Sequence, residues 1–537
     1  MVDVSQGRAA PPTRGFQGTT CLLTDPLIRV RLRDGSETAL SLPRLYEALA
    51  ADRIESFPGL RPHQRHPWHA LLAMLGALAC LRAGRVEPPA DAEGWARLLR
   101  GLTPEYPGDE PWSLVAPDDK PAFLQPVVGP AADLKPVPTP DALDMLVTAR
   151  NHDLKSARMD AASPDDWLFA LVTVQTAEGF LGAGNFGVSR MNGGFANRPG
   201  VGLAPPGGLG AHVMRDIRRL VALEDKILER YDLYDPEGLA LLWLIPWDGT
   251  VSLPRRGLHP YYVEICRRIR LVEDRGQLSA RAGNSRVARI AMTKEEAGVT
   301  GDPWTPLVTA EGSVKAMTVD RSGFHYRRLS DILFQVGCEA APLQKFGPEE
   351  KGPGWTLVCR ALVRGQGKTE GFHERRVPIP ARIVARMKAG EAASIGASAQ
   401  DRIRQAAAVR SCLRFGLMTL FQNGPEPSAY QAQHQPSARR AEPFLDQFQR
   451  RVDADFFEKL FAEASADSRE DREAIRKAWL DDLADRARAV LRAAESGSPT
   501  SAVRRHRAMV RAESAFNKAF FSASELKPYY GRGKDAA

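Results

Sequence analysis

The feature that most restricts the fold lies after Pro380, where the sequence settles into long stretches of helical period. Phe444, Phe448, Val452, Phe456 and Leu460 recur every fourth residue, and Ile475, Trp479, Leu483, Ala487 and Val490 form a second stripe. Residues spaced in this way share one face of an α-helix. Asp401–Phe421 reads as a further helix, and Ser498-Pro499 opens a last one that runs to about Phe521. Asp467 and Glu470 predict a capping box at the head of the third helix, and Gly497 its end. Each helix has one apolar face to bury, and four such helices are best satisfied by a four-helix bundle. The aromatic stripes therefore belong to a core and not to a cofactor pocket. The last helix also carries Arg504, Arg505, Arg507, Arg511 and Lys518, a face that is either solvated or in contact with phosphates.

Upstream of Pro380 the period keeps changing. Leu27–Leu32 alternates apolar and basic residues as a strand does, Asp34-Gly35 turns the chain, and Ala39–Leu42 returns as a second strand. Pro43–Ala51 reads as a short helix and Trp68–Leu81 as a buried one. Ser163 and Pro164, followed by Asp165 and Asp166, start an apolar helix over Trp167–Ala177. Val213, Ile217, Leu220, Val221, Ile227 and Leu228 mark an amphipathic helix. Ser285–Lys294 contains a strand-like stretch with exposed cations, and Trp355–Val363 and Phe372–Ile379 pair as a hairpin. The predicted class is α+β. A flexible lead-in over 1–20 precedes a mixed α/β domain over 21–380, a four-helix bundle over 381–528 and a tail over 529–537.

Composition narrows the setting. A chain of 537 residues holds more than one core, and a net charge of +8 suits a polyanionic partner. The six cysteines form no C-x-x-C pair, which points to reduced, mostly buried thiols and a cytoplasmic location. The first residues lack the pattern of a signal peptide, and the most apolar run is too short to cross a bilayer. No membrane partner is expected.

The segment most suited to binding is Phe180–Gly202, with glycines at 182, 184, 187, 193, 194, 200 and 202. Glycine lets backbone approach a ligand closely, and Arg190, Asn192, Asn197 and Arg198 supply donors for phosphates, base edges or carbonyls. Gly182–Gly187 matches G-x-G-x-x-G, but a helical segment precedes it and loop follows, so a dinucleotide site is rejected. Gly367-Lys368-Thr369 imitates the end of a P-loop, yet Leu362 stands where that pattern requires glycine. What remains is a glycine-flanked hairpin tip able to reach into a groove. Pro117-Asp118-Asp119-Lys120 lies in a proline-rich loop without the second acid on a neighbouring strand that metal-assisted phosphodiester cleavage needs, and reads as solvated surface. His63, His66 and His69 are spaced three apart, with no nearby carboxylate or cysteine to complete a metal site, and read as capping and packing residues. No metal and no cofactor are expected.

Taken in order, these pieces resemble the CasA family, the large subunits of the type I-E CRISPR surveillance complex Cascade. The resemblance is carried by Leu22–Val30, Ala122–Pro126, Asn192–Phe195, Gly371–Arg376 and the basic final helix, and it spans nearly the whole chain. It implies a non-enzymatic protein that recognises the protospacer-adjacent motif (PAM) in double-stranded DNA, supports the R-loop and recruits a separate helicase–nuclease. Other Cascade subunits and crRNA are the implied partners. By the same resemblance, Asn192, Gly193, Gly194 and Phe195 form the minor-groove loop. Residues 151–158, with Asn151, His152 and Lys155, contact RNA and a neighbouring subunit. The family's glutamine wedge falls at Gln366, Lys368 or Thr369. Its lysine finger falls near Ala291, with Lys294 the nearest lysine, and Arg504, Arg505 and Arg511 are candidate DNA contacts of the bundle. The alternatives are a DNA-processing enzyme, either nuclease or NTPase, and a basic helical scaffold.

Overall fold

A computed structural model describes residues 20–129, 134–144, 159, 162–193, 198–293, 295–310, 312–365, 368–497 and 501–530, with the backbone alone at 365, 368 and 369. The chain opens with β1 (Ile28–Leu32), β2 (Glu37–Leu40), α1 (Leu42–Ala50), β3 (Ile54–Ser56), α2 (Arg65–Arg82), α3 (Ala92–Arg100), β4 (Lys135–Val137) and α4 (Pro164–Thr176). There follow β5 (Gly200–Ala204), α5 (Leu209–Arg230), β6 (Leu239–Leu241), β7 (Leu258–Val263), β8 (Arg268–Asp274), β9 (Gln277–Gly283), β10 (Leu307–Ala310) and β11 (Ser313–Ala316). After α6 (Tyr326–Phe334) and β12 (Cys338–Glu339), the long strands β13 (Trp355–Gly365) and β14 (Lys368–Ile379) lead to α7 (Ala381–Lys388). The helices α8 (Ala392–Phe421), α9 (Gln435–Ala464), α10 (Arg469–Ala493), α11 (Ala502–Ser522) and α12 (Lys527–Tyr530) complete the chain.

Two compact units divide these elements. The first takes the described residues up to Gly323 together with Ala340–Pro348 and Thr356–Arg376. The second takes Phe324–Glu339, Glu349–Trp355 and the described residues from Val377 onward.

In the first unit the organising element is α2, apolar on every side and buried from His66 to Cys80. A helix of that kind must be surrounded, and α3, α4 and α5 pack on it. Gly76 admits Ile217 of α5, whose side chain lies where a Cβ would stand. Small antiparallel sheets ring this core: β2-β1-β3, β4-β9-β8 and β14-β13-β5. The strand expected over Ser285–Lys294 is not formed. Among the described residues, 285–293 run irregularly, with one isolated bridge between Leu253 and Ile290. Its cations do not alternate outward: Arg289 is buried, donates to the carbonyls of Leu242 (2.9 Å) and Ile245 (2.8 Å), and stacks on Trp247.

In the second unit α8 packs against α9, α10 and α11, and α9 against α10, which makes the four-helix bundle. Phe448, Val452, Phe456 and Leu460 are buried, as are Trp479, Leu483, Ala487 and Val490. The cap of α10 sits one residue later than the sequence indicated. Ser468 accepts from the Asp471 amide (2.9 Å), while the exposed Asp467 pairs with Arg382. α8 also starts earlier than Asp401, at Ala392. Helix α6 joins this unit: the Tyr326 amide donates to Asp453 (2.6 Å), and its ring lies 4.7 Å from that of Phe456.

A charged cluster ties three bundle helices together. Glu463 of α9 accepts from Arg402 of α8 (2.9 and 2.5 Å) and from Arg476 of α10 (2.7 and 2.5 Å). Arg476 also donates to Gln405 (3.1 Å) and Ser398 (2.7 Å), and Arg402 lies 4.4 Å over the Trp479 ring. Glu463→Ala leaves two buried guanidinium groups without their shared acceptor and is expected to cost about 3–5 kcal/mol in urea unfolding. Replacing all three (Arg402→Met, Glu463→Leu, Arg476→Met) is expected to recover most of that loss. A single-substitution cost below about 1 kcal/mol would mean that the cluster behaves as a solvated surface pair.

Candidate nucleic-acid interface

The glycine segment leaves the end of α4 and returns to it. Val188 donates its amide to the Glu178 carbonyl (2.9 Å), and Arg198 donates its amide to the carbonyl of the adjacent Ala177 (3.0 Å). A loop whose feet meet in this way is fixed at its base, as in compact surface loops. Side chains fasten both feet. The Ser189 amide and hydroxyl each donate to the Glu264 carboxylate at 2.8 Å, and Ser189 Oγ also lies 2.8 Å from the Tyr262 hydroxyl. Arg190 donates to the carbonyls of Pro260 and Tyr262, both at 3.1 Å, with its guanidinium 4.0 Å from the Tyr262 ring centroid. On the other foot Arg198 pairs with Asp302 at 2.8 Å, both side chains buried.

These contacts correct the reading of Arg190 and Arg198 as donors for a ligand. Both are buried and bonded to the protein's own acceptors, Arg190 through Nη2 and Arg198 through Nη1. Burial is the largest influence on Glu264 and raises its pKa, against the bonds from Ser189 and the charges of Arg190 and Arg198, so that it is pushed up to about 7.

Between the feet, Asn192 is half-buried, and Gly193 is exposed with φ of 61° and, among the described residues, nothing within 4 Å of where a Cβ would stand. Gly298, also at positive φ (76°), lies against the Met191 and Asn192 backbone, where a Cβ would come within 2.5 Å of the Met191 carbonyl carbon. Only glycine allows that approach. A cavity of about 380 Å³ runs beside this stretch and is lined by Phe180, Ser189, Asn192, Gly193, Met292 and Gly298 among others. Gly194 and Phe195 lie outside the described residues, as does Lys294.

The glycine segment continues directly into β5, and β5 pairs with β13 of the long hairpin, from Gly200 opposite Arg360 to Ala204 opposite Thr356. The fold thus joins the two segments that the sequence singled out for binding through one sheet. Lys368 and Thr369 begin β14, and their side chains, like Gln366, lie outside the described residues. Asn151, His152 and Lys155 also lie outside them.

On α11, Arg504 is exposed and Arg505 half-buried. Arg511 is engaged within the bundle, donating to the Gly424 carbonyl (2.6 Å) and pairing with Glu426. Arg507 and Lys518 are further exposed cations of that helix. Asp118 and Asp119 stand exposed on a turn whose Ala116, Pro117 and Lys120 carbonyls accept from Arg270. The residues that sequence reasoning missed are Ser189, Tyr262, Glu264, Gly298 and Asp302. Each is an ordinary residue whose role depends on a partner many positions away.

The sequence model of the CRISPR-associated protein Cse1 family matches residues 22–490. Among solved structures, Cse1 from Acidimicrobium ferrooxidans is similar with a TM-score of 0.64 at 18% identity, over 94% of this chain and 98% of that one. Cse1 from Thermobifida fusca is similar with a TM-score of 0.61 at 17% identity, over 95% and 98%. CasA from Thermus thermophilus is similar with a TM-score of 0.62 at 16% identity, over 94% and 99%. No curated protein matches the sequence. No helix among the described residues is long and apolar enough to cross a membrane.

The Glu264 anchor gives a pH prediction. Its folded pKa of about 7 stands above the ordinary 4.5, so the native state keeps a proton that the unfolded chain releases. The stability this group contributes is fully present below about 4.5 and is lost as pH rises through about 7. Glu264→Gln keeps the shape and removes the titration. The difference in thermal midpoint between the variant and the parent chain is therefore expected to grow in the variant's favour across that window and then level off. A difference that does not change with pH would show Glu264 to titrate as an ordinary carboxylate.

Proposed function

The chain belongs to the CRISPR-associated protein Cse1 family, and from that premise we propose that it is the large subunit of an RNA-guided surveillance complex of the Cascade type, reading the PAM in double-stranded DNA. One observation carries the reading: a glycine loop with both feet buried leads straight into the strand that pairs with the long hairpin. The minor groove offers a degenerate pattern of acceptors and the guanine amino group. An exposed, Cβ-free backbone at Gly193 beside Asn192 suits that surface, because it can approach the groove floor and exchange hydrogen bonds there. The preference that results is loose, and pairing with the guide RNA supplies the remaining specificity. The hairpin tip at Gln366–Thr369 acts next, pushing a polar side chain between the strands where unstacking begins.

In this reading the chain binds and opens DNA without cutting it, and it recruits the helicase–nuclease that does. The 151–158 segment, with Asn151, His152 and Lys155, docks the chain onto crRNA and a neighbouring subunit. The exposed cations of α11 hold DNA by its phosphates.

Gly193→Asp places a negative charge where phosphates crowd and is expected to abolish PAM-dependent binding by the assembled complex. Gln366→Ala or Lys368→Ala is expected instead to allow binding but slow strand opening, since unstacking costs a few kcal/mol per step. Targets with a pre-opened bubble beside the PAM distinguish the two defects. The bubble is expected to restore R-loop formation in the tip variants and not in Gly193→Asp. Equal defects on both substrates would place the wedge elsewhere.

Arg504→Ala with Arg507→Ala tests the α11 contacts while keeping Arg511, which retains its bonds to Gly424 and Glu426 when Arg507, 4.0 Å from the same carboxylate, is removed. Affinity is expected to fall equally on all sequences, and the log–log salt slope to flatten by roughly 0.9 for each phosphate deprived of its arginine. An unchanged slope would make this face solvated surface.

A further inference from the structure

The histidines around the start of α2 end in three different settings. His63 bonds to Asp144 at 2.9 Å, and the His66 ring covers Gly200, but His69 reaches α5. His69 Nε2 lies 2.8 Å from Asp216 Oδ2, and His212 Nε2 lies 3.6 Å from the same oxygen. His212 and Asp216 are one turn apart on α5, so both side chains leave the same face. The two imidazole centroids are 4.2 Å apart, and one ligand atom from each of the three residues falls within 4.8 Å of the others. His212 Nε2 is buried and makes no hydrogen bond among the described residues. At 3.6 Å it is too far from Asp216 for one. It is, however, close to the separation of about 3.3 Å between two ligands that each sit about 2.0 Å from a tetrahedral zinc.

We propose that His69, His212 and Asp216 hold a divalent transition metal of the zinc class. Two imidazoles and a carboxylate are the donor set that borderline metals take, and three protein ligands leave a fourth position open. The carboxylate is already oriented by outer contacts, as metal ligands are. Asp216 Oδ1 accepts from Arg215 (3.0 Å), which is itself held by the Leu343 carbonyl (2.8 Å), and Asp216 Oδ2 accepts from Trp304 Nε1 (3.3 Å). Arg360, whose charge also reaches His212, is paired with Glu374 at 3.1 Å. Both histidines line a cavity of about 760 Å³ together with Arg33, Arg65, Arg360 and Arg376 and the carboxylates Glu55 and Glu374. With the arginines outnumbering the carboxylates there, water or a small anion is the fourth ligand that fits. The sequence concealed the site because its carboxylate lies 147 residues beyond His69.

The test uses the full chain, stripped with chelator and desalted. Zn²⁺ titrated by calorimetry is expected to bind at a single equivalent and to raise the thermal midpoint. Co²⁺ in its place is expected to give the visible absorption bands of tetrahedral cobalt. His212→Ala removes a ligand whose Nε2 makes no hydrogen bond among the described residues, and is expected to weaken Zn²⁺ binding by at least about 100-fold, the upper end of what an outer-shell change costs. The proposal fails if the parent chain takes up no Zn²⁺, if cobalt gives no tetrahedral bands, or if His212→Ala binds zinc as tightly as the parent. Should that variant not fold, the cobalt spectrum of the parent chain decides alone.

Discussion

Buried guanidinium groups must find acceptors, and much of this structure is arranged to supply them. A cation removed from water without a partner costs several kcal/mol even after relaxation. Here the acceptors are often backbone carbonyls. Arg270 gathers those of Ala116, Pro117 and Lys120, Arg289 those of Leu242 and Ile245, and Arg190 those of Pro260 and Tyr262. Each arginine thereby satisfies backbone carbonyls, outside the sheets for Arg270 and Arg289 and in strand β7 for Arg190. In a first unit with small sheets and long connections, this arrangement gives irregular segments fixed positions. The second unit applies the same chemistry differently, with two arginines sharing one glutamate across three helices.

For the glycine loop the consequence is preorganisation. Its feet are held by Ser189, Arg190 and Arg198, and its path by Gly298, before any ligand arrives. Ordering a loop on binding subtracts from affinity, and a base fixed in advance reduces that cost. Glycine at 193 keeps the backbone itself as the contacting surface. A rigid base beneath a side-chain-free surface fits recognition of groove shape better than recognition of a single base edge.

What the sequence revealed and what it hid follow from how far each signal travels. The bundle was legible because Phe448, Val452, Phe456 and Leu460 repeat within one helix, and α2 because its apolar run is continuous. The hairpin was legible from its turn. The roles of Arg190 and Arg198 were misread, since a glycine-rich, arginine-bearing segment looks alike whether its cations face a ligand or a buried carboxylate. Asp302 lies 104 residues from Arg198 and Glu264 lies 75 from Ser189, distances over which no local pattern operates. Ser285–Lys294 failed for a related reason: Arg289 turns inward to distant carbonyls, which breaks the alternation of a strand.

The division into two units carries a consequence for inheritance. The chain passes from one unit to the other after Gly323, Glu339, Pro348, Trp355 and Arg376, so no single cut separates them. A fragment that begins at the bundle would lack α6 and leave bare the face where Tyr326 meets Asp453 and Phe456. Gene fusion or recombination at one breakpoint cannot give either unit to another protein intact. The interleaving makes the whole chain, and not either unit, the piece that one breakpoint at each end transfers intact.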